Sequence, residues 1–286
     1  MTTSRTRPIG ASERAGVLQP QNLARFSAQW LEPATDVCGV VDTYWAVQWN
    51  LAPRESVSQR IIDYPAVTLS IEHGDVPASF IATAVRSKAW SREIGGRGSV
   101  FAIRLRPAGL AVLTDLDPST LEPETELTPA VDPRAHQLLH AIAAHDGPES
   151  RARHADNLIR AYLDERPLSR AQRLANAAVA ALAASPHVRS GRAVAEELGT
   201  SERTLQRVLR QTVGRGPNEI ARRIRLQEVV QRLSAPGSLI ATVAADLGYS
   251  DQAHLTNEFR SVAGVTPGGY LSELERSQRY LLRPGT

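Results

Sequence analysis

The chain has 286 residues, more than one typical domain, and its hydrophobic fraction of 42% is enough for a sizeable core. No window approaches 18 consecutive apolar residues, which excludes a membrane-spanning helix, and a single cysteine, Cys38, excludes an internal disulfide or a multi-cysteine zinc cluster. The net charge of +3 is unevenly spread: residues 1–150 hold 13 basic against 17 acidic side chains, residues 151–286 hold 20 against 13, and all 20 are arginine. A basic half joined to an acidic half fits a nucleic-acid-binding module attached to another domain, although a solvated charged surface fits the charge alone equally well.

In chain order, the opening MTTSRTRPIGASERAG lacks the apolar core of a signal peptide and reads as a polar tail, disordered over residues 1–21. The cytoplasm is the expected compartment. Residues 22–115 are β-rich: TYWAVQW, SQRIIDY, AVTLSIE, ASFIAT and GSVFAIRLR are β-branched and aromatic runs broken by Pro, Gly and Asp, the pattern of a small barrel or sandwich. A short helix is expected from Gly109 to Leu113, and residues 116–185 read as a loop followed by a helical connector with apolar residues at i, i+3, i+4 spacing. Its Leu138, Leu139, Ile142, Leu158, Ile159 and Leu163 are expected to pack on the β-rich domain and to offer a homodimer contact. Residues 186–286 are helix and turn throughout. The fold class is therefore multidomain, with a β-rich barrel-like domain, an all-α connector and an all-α C-terminal domain.

The C-terminal domain contains an internal repeat. Val194-Ala195-x-x-Leu198-Gly199-x-Ser201 returns as Val243-Ala244-x-x-Leu247-Gly248-x-Ser250, offset by 49. Leu205, Leu209, Arg210, Gly214 and Pro217 return as Leu255, Phe259, Arg260, Gly264 and Pro267, offset by 50, so the second copy has one extra residue at its turn. Each copy reads as a helix-turn-helix: a short helix closed by a glycine, then a second helix capped by Ser201 in one copy and by Ser250 or Asp251 in the other. On the second helices the outward faces carry Arg203, Gln206, Arg207 and Arg210, and Ala253, Thr256, Asn257 and Arg260 flanked by Gln252 and His254. Arginine can bond guanine O6 and N7, Gln and Asn can do the same to adenine, and Ala or Thr methyls fit the thymine methyl. Between the copies, Pro217 to Leu233 reads as one helix about 25 Å long, a spacer suited to two reading heads near one DNA turn apart. Arg210, Arg222 and Arg260 are placed to reach the phosphate backbone.

The segment from about Val188 to Leu274 resembles the DNA-binding domain of the AraC/XylS family of bacterial transcription regulators. The most specific stretch runs from Ile240-Ala241-x-Val243-Ala244-x-x-Leu247-Gly248-Tyr249-Ser250-Asp251-Gln252 to Phe259-Arg260, Gly264-Val265-x-Pro267 and Tyr270. The resemblance implies that Arg203, Gln206 and Arg207 of the first unit, and Gln252, His254, Thr256 and Asn257 of the second, enter the major groove of double-stranded operator DNA. Leu255 stands where the family commonly has an aromatic residue and Asn257 where it commonly has Arg, so no relative's operator preference transfers. Tyr64–Leu69 and Gly98–Gly109 resemble a β-rich domain found ahead of this unit. That implies a sensor for a small-molecule effector, with RNA polymerase as a further partner if the protein activates.

Other signals are weaker. His136 and His140 have i, i+4 spacing with no Cys or carboxylate to complete a metal motif, and Gly95-Gly96-Arg97-Gly98 lacks the Lys and Ser/Thr of a phosphate loop. No nucleophile arrangement has a recognisable context, so neither enzyme activity nor a cofactor is expected. Trp45, Trp49, Trp90, Arg104 and Arg106 could line a ligand pocket, but barrel core and exposed charge account for them better. The rival reading is a ligand-binding or scaffold protein whose degenerate helix-turn-helix no longer binds DNA.

Overall fold

The computed structural model describes residues 6–8, 16–184 and 190–281. Its β-rich part contains β1 (Thr6–Pro8), β2 (Phe26–Leu31), β3 (Val41–Asn50), β4 (Ser56–Ile61), β5 (Thr68–Gly74), β6 (Phe80–Thr83), β7 (Trp90–Gly95), β8 (Arg97–Leu105) and β9 (Glu124–Glu126). Among the described residues, seven strands pair antiparallel in the order β1-β2-β3-β8-β5-β6-β9, and β4 pairs with β7 in a second sheet. The large sheet is open, with β1 and β9 at opposite edges, so the domain is an open sheet covered by a two-stranded sheet rather than a closed barrel.

The central strands are apolar on both faces because both faces are covered. Tyr44, Phe101, Ile103, Leu105, Leu69 and Ile71 point to one core, while Trp45, Val47, Trp49, Val100 and Ala102 point to a second, closed by Val57 and Ile94 of the two-stranded sheet. The first core is completed by α1 (Gly109–Leu113), α2 (Pro133–Ala143) and α3 (Pro148–Glu165), which contribute Leu110, Leu113, Leu138, Leu139, Ile142 and Ile159. Asp156 of α3 is buried and accepts the Tyr44 hydroxyl at 2.9 Å. The connector's apolar faces are thus largely used against the sheet of the same chain.

The fourth helix, α4 (Arg170–Ala184), differs from expectation. Ala175, Ala178, Val179 and Leu182 pack with Val194, Leu205, Leu209 and Ile220, so this helix is part of the C-terminal core and that core begins at Arg170 rather than at 186. The remaining helices are α5 (Gly191–Glu197), α6 (Glu202–Val213), α7 (Pro217–Leu233), α8 (Ile240–Asp246), α9 (Gln252–Ala263) and α10 (Pro267–Leu281).

The expected disordered tail is corrected where it is described. Thr6–Pro8 pairs with β2, Gly16 to Gln19 are buried, and Leu18 donates its N–H to the Arg60 carbonyl at 2.9 Å. The reason is apolar: Leu18 lies in one cluster with Ile62 of the β-rich domain and Leu226, Val229 and Leu233 of α7. The rest of that tail, residues 1–5 and 9–15, lies outside the described residues.

Candidate DNA interface

The two repeats fold as two helix-turn-helix units on either side of α7. In the first, the Ser190 side chain caps α5 by accepting from Ala193 N–H, and Gly199 turns the chain at φ +61°. Ser201 then caps α6, accepting from Thr204 N–H at 3.1 Å, and Gly214 ends that helix at φ +76°. Positive φ is cheap for glycine and costly for other residues, which is why the repeat preserves these positions. In the second unit Gly248 sits at φ +71° and Gly264 at φ +75°.

The turns superpose in hydrogen bonding as far as Thr200 N–H to Ala195 O (2.9 Å) and Tyr249 N–H to Ala244 O (3.0 Å). The extra residue is Ser250. Asp251, not Ser250, caps α9, accepting from His254 N–H at 2.7 Å.

Leu205, Val208 and Leu209 of α6 and Leu255 and Phe259 of α9 are buried, which forces the other faces outward. Arg203, Gln206, Arg207 and Arg210 are all exposed on α6; Gln252, His254, Asn257 and Arg260 are exposed on α9, and Thr256 is half-buried. Arg203, Arg210 and Arg260 form no ion pair among the described residues, so their guanidinium groups remain available to an outside acceptor. Arg207 makes one long contact with Gln211 Oε1 at 3.5 Å, and the His254 ring lies 3.1 Å from Ser250 Oγ. The structure brings the predicted residues together in two sets, one per unit.

Arg222 is the exception. Its Nη2 donates to Ser261 Oγ at 2.5 Å and its Nε lies 3.5 Å from Glu258, so this half-exposed side chain ties α7 to α9. Glu258 also accepts the Tyr249 hydroxyl at 2.8 Å and lies 4.0 Å from Arg225, whose guanidinium stacks over the Tyr249 ring. Burial, followed by the Glu258 charge, holds the Tyr249 hydroxyl well above the usual phenol range. Sequence reasoning missed this Glu258 network, and it also missed Arg223, which is only 5% exposed. A signal for Arg223 existed: it falls on the stripe of α7 that carries Ile220, Ile224 and Gln227.

The weighed pocket residues do not converge. Arg104 lies 4.9 Å from the centres of both Trp30 and Tyr64 and pairs with Asp42; Trp90 Nε1 donates to Glu124, and Trp49 Nε1 to the Gly95 carbonyl. No helix among the described residues is long and apolar enough to cross a membrane.

Fold and surface together define a double helix-turn-helix domain with two outward polar faces. Residues 194–273 match the family model described as a helix-turn-helix domain, and residues 29–126 match a domain of unknown function (DUF6597). The transcriptional activator RhaS of Pectobacterium atrosepticum is 34% identical over 74 residues, which cover 26% of this chain and 26% of that protein. The chain thus spans about a quarter of the length of the curated relatives it matches. Two crystal structures are similar. One is an AraC-type DNA-binding-domain regulator from Chromobacterium violaceum, with 24% identity, 40% of this chain, 96% of that chain and a TM-score of 0.34. The other is ToxT from Vibrio cholerae, with 12% identity, 87% of this chain, 97% of that chain and a TM-score of 0.41. The likeness to AraC-type regulators is thus confined to the C-terminal domain, where residues 194–273 match the helix-turn-helix family model.

Proposed function

We propose that this protein regulates transcription by reading one long, asymmetric double-stranded DNA site with two unlike heads, and that the β-rich domain answers to a small-molecule effector. The observation that carries the reading is the pair of exposed, polar recognition faces on α6 and α9, each held by the same glycine and cap geometry. Arg203, Gln206 and Arg207 in one head and Gln252, His254, Thr256 and Asn257 in the other differ in donors and acceptors, so they read different half-sites. Arg210 and Arg260 contact phosphates.

The effector reading draws on the interior between the two sheets. Glu72, 4% exposed, accepts from Ser70 and pairs with Arg92, while Gln59, 5% exposed, has a side-chain Nε2 without a partner among the described residues. A buried donor left unpaired costs about 1–3 kcal/mol, which a ligand acceptor would recover. Selection of bound sequences from random DNA tests the function: a long motif with two unlike halves is expected, and no enrichment over non-specific DNA would overturn it.

A further inference from the structure

Residues 84–89, the link from β6 to β7, touch all three parts of the C-terminal domain in order. Val85 is buried in the core of the first unit, and its carbonyl accepts from Arg215 Nε at 3.2 Å and Nη2 at 2.9 Å, just beyond α6. The carbonyls of Arg86 and Lys88 accept from Arg223, in the middle of α7, at 2.7 and 3.3 Å. Ala89 donates its N–H to the Val262 carbonyl in the last turn of α9 at 2.8 Å and packs on the core of the second unit. One short segment of the β-rich domain therefore grips the first head, the spacer and the second head.

Arg223 is the centre of the grip. Besides the two carbonyls of the link, its Nε donates to the Asp63 carbonyl at 2.8 Å and its Nη2 to the Asp63 carboxylate. The planar guanidinium directs its donors along a fixed fork, so the two loops it bonds are held at a defined position on α7. Neighbouring contacts extend the grip at both ends: Gln227 Nε2 donates to Ile62 O at 2.9 Å, and Arg60 donates to the Ala263 carbonyl beside Gly264. None of these residues belongs to the exposed recognition faces, so the grip leaves those faces open.

We infer that the 84–89 segment is a strap that fixes the two heads in one relative orientation for DNA, and that Arg223 is its positioning residue. This rests on the two-headed reading proposed above. A spacer helix sets the distance between two heads, but a rotation of one head about that helix swings its recognition helix out of the groove. Bonds from one segment to both heads and to the spacer remove that freedom before DNA arrives, which preserves the gain from joining the two binding events. The strap runs directly into β7, where Trp90 and Arg92 bond Glu124 and Arg92 pairs with Glu72, so its place depends on the interior of the β-rich domain.

The test measures affinity of the full chain, by fluorescence anisotropy, for three duplexes: the selected site and the same site with either half scrambled. Unaltered protein should bind the intact site about 10²–10⁴-fold tighter than the better half-site duplex. Arg223→Gln should keep both half-site affinities and lose about tenfold or more of that gain. A second variant, Arg60→Ala with Arg215→Ala, removes the Arg60 bond to the second head and both Arg215 bonds from the first, at half-buried positions, and should lose part of the gain in the same way. If Arg223→Gln no longer holds the half-site affinities, its fold has failed and the double variant decides. Variants that retain the full gain overturn the strap while leaving two-headed reading intact. Unaltered protein that gains nothing from the second half overturns both.

Discussion

Gly199 and Gly214 occupy the turn and the end of the same unit and both need positive φ, at +61° and +76°, yet their surroundings differ. A Cβ at Gly199 would meet nothing within 4 Å, whereas at Gly214 it would lie 2.4 Å from the Pro118 carbonyl oxygen. Alanine in the left-handed region costs about 1–2 kcal/mol, and Gly199→Ala should cost no more than that. Gly214→Ala carries the same conformational cost and must also push the loop bearing Pro118 off the end of α6. Forced backbone shifts in packed regions add roughly 1–3 kcal/mol, for a total of about 2–5 kcal/mol. Urea unfolding followed by far-ultraviolet circular dichroism, compared at constant slope, measures both. Equal destabilisation by the two substitutions, or a larger effect at Gly199, would refute the packing of the connector loop against the first recognition helix.

Three further outcomes follow from the same geometry. Arg203→Ala combined with Arg207→Ala should weaken binding to the selected site by about 1–3 kcal/mol per lost base contact, read by anisotropy, and near-normal affinity would remove both from the interface. Arg260→Ala should lower the slope of log affinity against log salt by about 0.9 while leaving sequence discrimination unchanged; an unaltered slope would mean that Arg260 meets no phosphate. The Tyr249 hydroxyl is held above its ordinary range, so its contribution to stability is complete below a pH of about 10 and is lost as pH rises beyond it. Urea stability of Tyr249→Phe should therefore decline less steeply above that pH than stability of the unaltered chain, and identical slopes would contradict the buried Tyr249–Glu258 bond.

The C-terminal domain was legible because its signals are local. Glycines at positive φ, polar caps and a repeat of apolar positions each act within a few residues, and the repeat offset moving from 49 to 50 placed one extra residue at the second turn. What the sequence left open was set by long-range packing. Strand β7, WSREIG, carries a charged residue at its centre, and that Arg92 turns inward to the buried Glu72. The alanine-rich α4 looks like a linker until its small side chains meet Val194 and Leu205, and Leu18 looks like part of a polar tail until it meets Ile62 and α7. Arg222 reads as a phosphate contact until it meets Glu258, and its neighbour Arg223 is buried among carbonyls of the β-rich domain. In each case the decisive partner is distant in sequence.

The central claim is that two unlike heads on one chain read one DNA site. Hydroxyl-radical footprinting of the full chain on its selected site tests this most directly. Two protected segments on the same DNA face, centred about 34 Å apart, are the predicted result, with the Arg203/Arg207 double alanine variant losing protection in only one of them. Protection confined to a single segment per chain would contradict the claim and leave one unit as the sole reader.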